Sequence, residues 1–345
     1  MRRPRRRLVV LTVGVALAVI AGLVFLVTRP DASPLRVVVL SDSLSEGMGE
    51  VTDLSRTWPN LVGDALRTDR RQQPGSGGTW MPASLAGDMF GFSAGRADAA
   101  AWAATDDTGV PGAIARGPVT WDVRRYDSAV VHVAAEWAGA RFTARSGDRV
   151  VGFTSTGPGT ASFVVDDLGD ELTVSGDGVV LGVLGRSGGG TVEVYNLSWS
   201  GSSTNDWLGW AGRPMLLPML RAIDPDVIVL SLGGNDFWDV GDTDRFGAHL
   251  GRLHGLVSGV APRARWVLGT QPVPAATDAA AWRRFQQVTI DTANGLGAPV
   301  IDLVGQMPTA AEAPGLYSSD RTHLTDAGHA FIAERATPAI RRALG

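Results

Sequence analysis

The chain has 345 residues, 44% hydrophobic and 19% charged, a globular composition that excludes wholesale disorder and collagen-like or coiled-coil organisation. It contains no cysteine, which excludes thiol nucleophiles, disulfide frameworks and cysteine-ligated metals together. All 31 basic residues are arginine, so Schiff-base and P-loop lysines are absent; six lie in residues 1–29 without an acid, leaving 25 arginines against 35 acids in an acidic body that argues against nucleic-acid binding.

Leu8 to Val27 is an uninterrupted uncharged run, preceded by five arginines. Twenty helical residues span about 30 Å, the hydrocarbon thickness of a bilayer. The flanking arginines predict a cytoplasmic N-terminus and a translocated body. Residues 1–30 are thus expected to be an Arg-rich tip and an uncleaved transmembrane helix. A secretory signal is the alternative, but its apolar region would be shorter and followed by an A-x-A-like site.

After a short linker at Asp31–Pro34, Arg36–Leu40 (RVVVL) fits a buried parallel strand, followed by a helix near Trp58–Arg67. From about Pro74 to Gly189 the pattern changes to short β-prone runs: Ala129–Val133, Arg141–Ala144, Val150–Thr154, Ser162–Val165, Glu171–Ser175 and Val179–Leu184. Turn clusters such as Ser146-Gly147-Asp148 separate them, which suggests a β-sandwich or jelly roll. Strands at Thr191–Leu197, Val227–Leu232, Trp266–Thr270 and Val300–Asp302 then alternate with helices near 243–260 and 279–294 and a last helix from Thr325 toward Leu344. That rhythm predicts an α/β domain with a parallel sheet covered on both faces. The expected division is 34–73 plus 190–345 for the α/β domain and 74–189 for a β-rich insert, with ends close enough that a short linker could replace it.

In open α/β sheets ligands bind beyond the carboxyl ends of the strands. The first strand ends in Ser41-Asp42-Ser43-Leu44, where a serine can expose its hydroxyl and backbone N–H; a helix cap is the ordinary alternative. The next α/β strands end in Asn196-Leu197-Ser198-Trp199-Ser200-Gly201 and in Gly233-Gly234-Asn235-Asp236, each readable as a plain turn. Near the C-terminus, Asp320 precedes His323 by three residues and can accept from its Nδ1–H, fixing the base tautomer. Together these place a hydroxyl, N–H donors and an oriented imidazole at one sheet edge, as acyl transfer requires.

These blocks resemble the SGNH (GDSL-type) hydrolases, over Arg36–Arg71 and Thr191–Leu344, with Ser41 where the family usually has Gly. The resemblance implies a three-layer, flavodoxin-like α/β/α fold. It implies Ser43 as nucleophile, His323 as general base, Asp320 as its orienting acid, and an oxyanion hole made by the N–H groups of Ser43 and Gly201 with the Asn235 amide. The interrupting β-region is similar in layout to peptidoglycan O-acetylesterases and suggests a carbohydrate-binding-like role. The expected activity is extracytoplasmic hydrolysis of O-acyl, foremost O-acetyl, esters on a wall or surface carbohydrate. The alternatives are a lipase or thioesterase of the same fold and a non-catalytic glycan-binding surface protein. Trp199 and Trp238 could stack on the substrate, with core packing as the competing explanation for any tryptophan. His329 reads as a surface residue of the last helix. No metal or other cofactor is expected, since the histidines are scattered and no H-E-x-x-H occurs.

Overall fold

The computed structural model describes residues 33–72, 76–83, 96–97, 113–114 and 118–345, apart from 214, 240 and 276. The expected membrane anchor lies outside the described residues. Among those described, no helix is long and apolar enough to cross a membrane.

The chain begins with β1 (Leu35–Ser41), α1 (Ser43–Glu46), β2 (Gly49–Glu50) and α2 (Trp58–Asp69). The β-rich stretch follows as β3 (Gly77–Pro82), β4 (Arg96–Ala97), β5 (Ala113–Ile114), β6 (Val119–Asp122) and β7 (Ser128–Ala135), then β8 (Arg141–Ser146), β9 (Arg149–Thr154), β10 (Gly159–Asp166), β11 (Glu171–Gly176) and β12 (Val179–Ser187). The α/β alternation resumes with β13 (Val192–Asn196), α3 (Thr204–Ala211), α4 (Leu216–Ile223), β14 (Val227–Ser231), α5 (Gly234–Asp239) and α6 (Thr243–Ser258). It closes with β15 (Arg265–Gly269), α7 (Ala279–Leu296), β16 (Val300–Ile301), α8 (Leu303–Gln306), β17 (Leu324–Thr325) and α9 (Asp326–Leu344).

The parallel strands run β13-β1-β14-β15-β16. With the insert set aside, this is the flavodoxin-like order 2-1-3-4-5, whose switch point lies beside the first strand. The strands are mostly apolar because both faces are buried, with buried polar residues such as Glu193 and Asn196 of β13 as exceptions. Val37 and Val39 point into a core closed by α2 and α9, with Val62, Leu66, Ile332 and Ile340. Val38 and Leu40 point into the opposite core, with Trp207, Leu216, Leu250 and Phe285.

The insert does not hang from this sheet on a loop. β3 pairs in parallel with β13, and β12 with β3, β7 with β12 and β10 with β7 pair antiparallel, so one ten-stranded sheet crosses the boundary among the described residues. Its outer strands pack against a second sheet, ordered β4-β6-β11-β8-β9, around Trp121, Phe142, Leu172 and Val183. The result is a β-sandwich sharing one sheet with the α/β domain. Val130, Leu181 and Leu184 of the insert join the same core as Val38 and Leu40. The shared sheet conflicts with the expectation that a linker could stand in for the whole stretch.

Two devices make the seam. Gly77 has φ +99°, and a Cβ there would lie 2.5 Å from the carbonyl oxygen of Val192, so only glycine lets β3 approach β13 at this point. Buried Arg67 of α2 donates to the carbonyls of Gly78, at 2.9 Å, and Val192, at 3.3 Å, one on each side.

Candidate active site

β1 delivers Ser43 to the switch point. Asp42 leaves the strand in extended conformation and caps α1, accepting the Leu44 N–H at 3.1 Å. Ser43 thus occupies the first helical position, where a backbone N–H has no acceptor in its own helix. Among the described residues, nothing accepts the N–H of Ser43 or that of Gly201.

His323 arrives from the opposite end of the chain, on the loop before β17. Its Nε2 lies 3.0 Å from Ser43 Oγ, and its Nδ1 lies 2.6 Å from Asp320 Oδ2. Burial tends to raise the Asp320 carboxyl. Hydrogen bonds from the His323 ring, the N–H groups of Thr322 and His323, and the Ser318 hydroxyl outweigh it and hold the carboxyl well below the usual range. Asp320 is therefore an anion that accepts Nδ1–H and leaves Nε2 free to accept from Ser43. The loop comes close because β17 pairs with β2. Gly49 of β2 has φ +125°, and a Cβ there would meet the Leu324 carbonyl oxygen at 2.6 Å.

The loops after β13 and β14 complete the edge. Gly201 has φ +78°, with open space where a Cβ would point. The Asn235 Nδ2 donates to the carbonyl of Ser202 at 2.9 Å, which uses one of its two N–H bonds and leaves the other. Ser202 fixes the arrangement: its hydroxyl lies 3.2 Å from the Ser41 carbonyl and 2.7 Å from that of Trp199, and it accepts from the Trp207 indole at 3.0 Å. Buried Glu46 accepts from both the N–H and the hydroxyl of Ser200, at 2.6 Å each. Asn196, behind them, donates to the Ser45 carbonyl at 2.7 Å.

Ser41 sits quietly where the resemblance led one to look for glycine. Its hydroxyl donates to the Ser231 carbonyl at 2.6 Å and accepts from Ser45 at 2.7 Å, and Ser45 accepts in turn from the Trp58 indole at 2.9 Å. The extra side chain is thus turned into the sheet.

A cleft of about 460 Å³ adjoins Gly201, with Trp199, Trp210, Asn205, Asp206 and Arg213 among its lining residues. Trp199 is half-buried on its wall. Trp238, three residues beyond Asn235, is 57% exposed on α5 and does not line that cleft. The expectation for His329 fails: it is fully buried, with Nδ1 accepting the Trp58 N–H at 3.1 Å. Burial, chiefly, lowers its imidazole to about 3, with nearby Asp326 opposing and His323 adding to the shift. Sequence reasoning missed Asn205, Asp206 and Arg213. The Ser203-x-x-Asp206 capping box announcing α3 was the available signal.

A family model for the GDSL-like lipase/acylhydrolase family matches residues 142–331. The chain belongs to this family. It is an SGNH-type serine ester hydrolase. The match includes Gly201, Asn235, Asp320 and His323 but starts after Ser43, which the fold brings back within hydrogen-bond distance of His323. Among solved structures, the hydrolase is similar to a peptidoglycan O-acetylesterase at 12% identity and TM-score 0.66, covering 90% of this chain and 91% of that one. It also resembles TesA at 14% identity and TM-score 0.46, covering 89% and 99%. A third match is a carbohydrate esterase family 2 enzyme with a carbohydrate-binding domain from Corynascus thermopiles (Myceliophthora fergusii), at 15% identity and TM-score 0.37, covering 68% and 95%. No curated protein sequence matches the hydrolase.

Proposed function

We propose that the hydrolase removes short acyl groups, foremost O-acetyl, from a wall or surface carbohydrate outside the cytoplasm. The cleft beside Gly201 carries this reading. It combines two indole rings, which can stack on sugar faces, with the amide, carboxylate and guanidinium of Asn205, Asp206 and Arg213. A long acyl chain would call for an apolar channel instead. The apolar hollow behind the nucleophile turn, between Leu44, Trp58 and Ile301, has a volume of only about 10 Å³. The similarity in fold to a structure described as a peptidoglycan O-acetylesterase supports the same reading.

In this mechanism Ser43 Oγ attacks the ester carbonyl while His323 Nε2 takes its proton. The N–H groups of Ser43 and Gly201, with the second N–H of Asn235, hold the developing oxyanion. His323 returns the proton to the departing sugar oxygen as its bond to the acyl carbon breaks, so that it leaves as a hydroxyl, and water then releases the acyl group from Ser43 by the reverse sequence. Asp320 stays ionised and stabilises the imidazolium. The test is a panel of acetylated glycans and of aryl esters of increasing acyl length. Acetate release from glycans and poor turnover of long-chain esters are expected. A preference for long chains would refute the proposal.

A further inference from the structure

Gln271 follows the end of β15, is 1% exposed, and belongs to none of the four motif blocks. Its amide uses both ends. Nε2 donates to Asp42 Oδ2 at 2.7 Å and lies 3.3 Å from the Ser231 carbonyl oxygen. Oε1 accepts the Gly234 N–H at 2.6 Å. Asp42 immediately precedes Ser43, and Gly234 immediately precedes Asn235. One side chain therefore ties the turn that carries the nucleophile to the turn that carries the side-chain oxyanion donor.

Gln271 is itself anchored. Its N–H donates to Gln286 Oε1 at 3.2 Å, and its carbonyl accepts from the Trp282 indole at 3.2 Å. A Cβ on Gly234 would lie 2.6 Å from Gln271 Oε1, so the amide is seated directly against that backbone. A carboxylate of the same length could accept from Gly234 but could not donate to Asp42, and an apolar side chain could do neither.

We propose that Gln271 is a positioning residue that sets the separation between the Ser43 N–H and the Asn235 amide, and so the geometry of the oxyanion hole. The inference rests on the roles proposed above for Ser43 and Asn235. Oxyanion donors act over about 2.7–3.1 Å, and a misplacement of 1 Å can cost about 10²-fold in rate.

Gln271→Glu separates positioning from packing. Asp42 is fully buried, and that burial, against hydrogen bonds from Gln271 and Leu44, raises its carboxyl to about 6; of the titratable groups around it, His323 acts to lower it and Asp236 to raise it. A glutamic acid at 271 can share one proton with Asp42 and restore the missing donor while that proton is held. Hydrolysis of a small aryl acetate by full-length protein should therefore show a Gln271→Glu rate within about tenfold of wild type near pH 6. The ratio to wild type should fall at least a further tenfold by pH 9. Gln271→Met, which keeps length but has no amide, should lose about 10–10² in kcat at every pH, with KM changed less than about threefold.

Phosphonylation of Ser43 by a fluorophosphonate, followed in parallel, keeps this proposal separate from the one beneath it. If wild type is not labelled at Ser43, the serine mechanism fails. If wild type is labelled and both variants react at wild-type rates, Gln271 does not position the hole. A pH-independent loss in Gln271→Glu equal to that of Gln271→Met, tracking a fall in Tm, would mean packing alone and would also overturn the proposal.

Discussion

Glu193 of β13 accepts from Arg186 of β12 at 2.7 Å, across the seam between insert and α/β strands. Its other oxygen accepts from Arg36 of β1 at 3.0 Å. Buried Glu193 thus joins a strand of the insert to β1, the strand that leads to Ser43. Exchanging residues 74–188 for a short linker would remove the β3 neighbour of β13, the Arg186 partner of Glu193 and the Thr160 hydroxyl that holds the Met215 carbonyl at 2.8 Å. Such a variant is expected to lose cooperative thermal unfolding by circular dichroism. Glu193→Ala in the intact chain should lower stability by about 1–3 kcal/mol, below the figure for a fully buried pair because both arginines are partly exposed.

The Ser43 turn invites a second test. Ser43→Ala should abolish ester cleavage with the fold intact, and a fluorophosphonate should label Ser43 alone. Asn235→Ala should lower kcat by about 10²–10³, the usual effect of losing one oxyanion donor, with KM for a small ester nearly unchanged. Wild-type turnover by folded Ser43→Ala would refute the assignment.

The parallel strands were readable because β1 and β14 are apolar on both faces; Ser43, Gly201 and Asn235 were readable because they follow strand ends, and Asp320 and His323 because of their three-residue spacing. β3 was not readable: Gly-Gly-Thr-Trp-Met-Pro looks like a loop, and it is a strand because its glycines let it approach β13 and Arg67. α4 escaped notice through its shortness and its internal Pro218. His329 was misplaced although the sequence held the clue, since it precedes Ile332 by three residues, on the face that α9 buries. The tie between Gln271 and Asp42 spans 229 residues, and no local pattern announces such a contact.

The N-terminal run supplies a third prediction. If residues 8–27 anchor the chain, the protein should sediment with membranes and resist extraction by alkaline carbonate. Protease added outside intact cells should digest the body from Asp31 onward. Recovery of a soluble mature chain beginning near residue 30 would instead identify a cleaved signal.

The cleft gives a fourth. Trp210→Ala and Arg213→Ala alter its wall without touching Ser43, His323 or Asn235. Each should raise KM for an acetylated oligosaccharide by about tenfold and leave kcat/KM for a small aryl acetate within about threefold, since stacking and charged hydrogen bonds bind the sugar and not the reacting carbonyl. Equal effects on both substrates would show that the cleft shapes the reacting centre itself.

Two buried histidines make stability depend on pH. His132 of β7 lies edge-on to the rings of Trp80 and Tyr195, with centroids 5.3 Å and 5.7 Å away, and neither ring nitrogen has a hydrogen-bond partner among the described residues. Burial, helped by nearby Arg186, lowers its imidazole to about 3, and His329 is lowered similarly. Both stay neutral in the fold where the unfolded chain would bind protons, below the ordinary value of 6.5. Stability is thus unaffected by them above that pH and falls as pH drops toward about 3. The slope approaches about 1.4 kcal/mol per pH unit for each histidine. His132→Phe keeps an aromatic ring in the same slot and leaves nothing to protonate. Melting followed by circular dichroism should show a smaller loss of Tm between pH 7.5 and pH 5 in this variant than in wild type. His329 should account for much of the remainder, because its Nδ1 must stay unprotonated to accept the Trp58 N–H. An identical pH dependence in wild type and His132→Phe would show that His132 is not held neutral in the sheet.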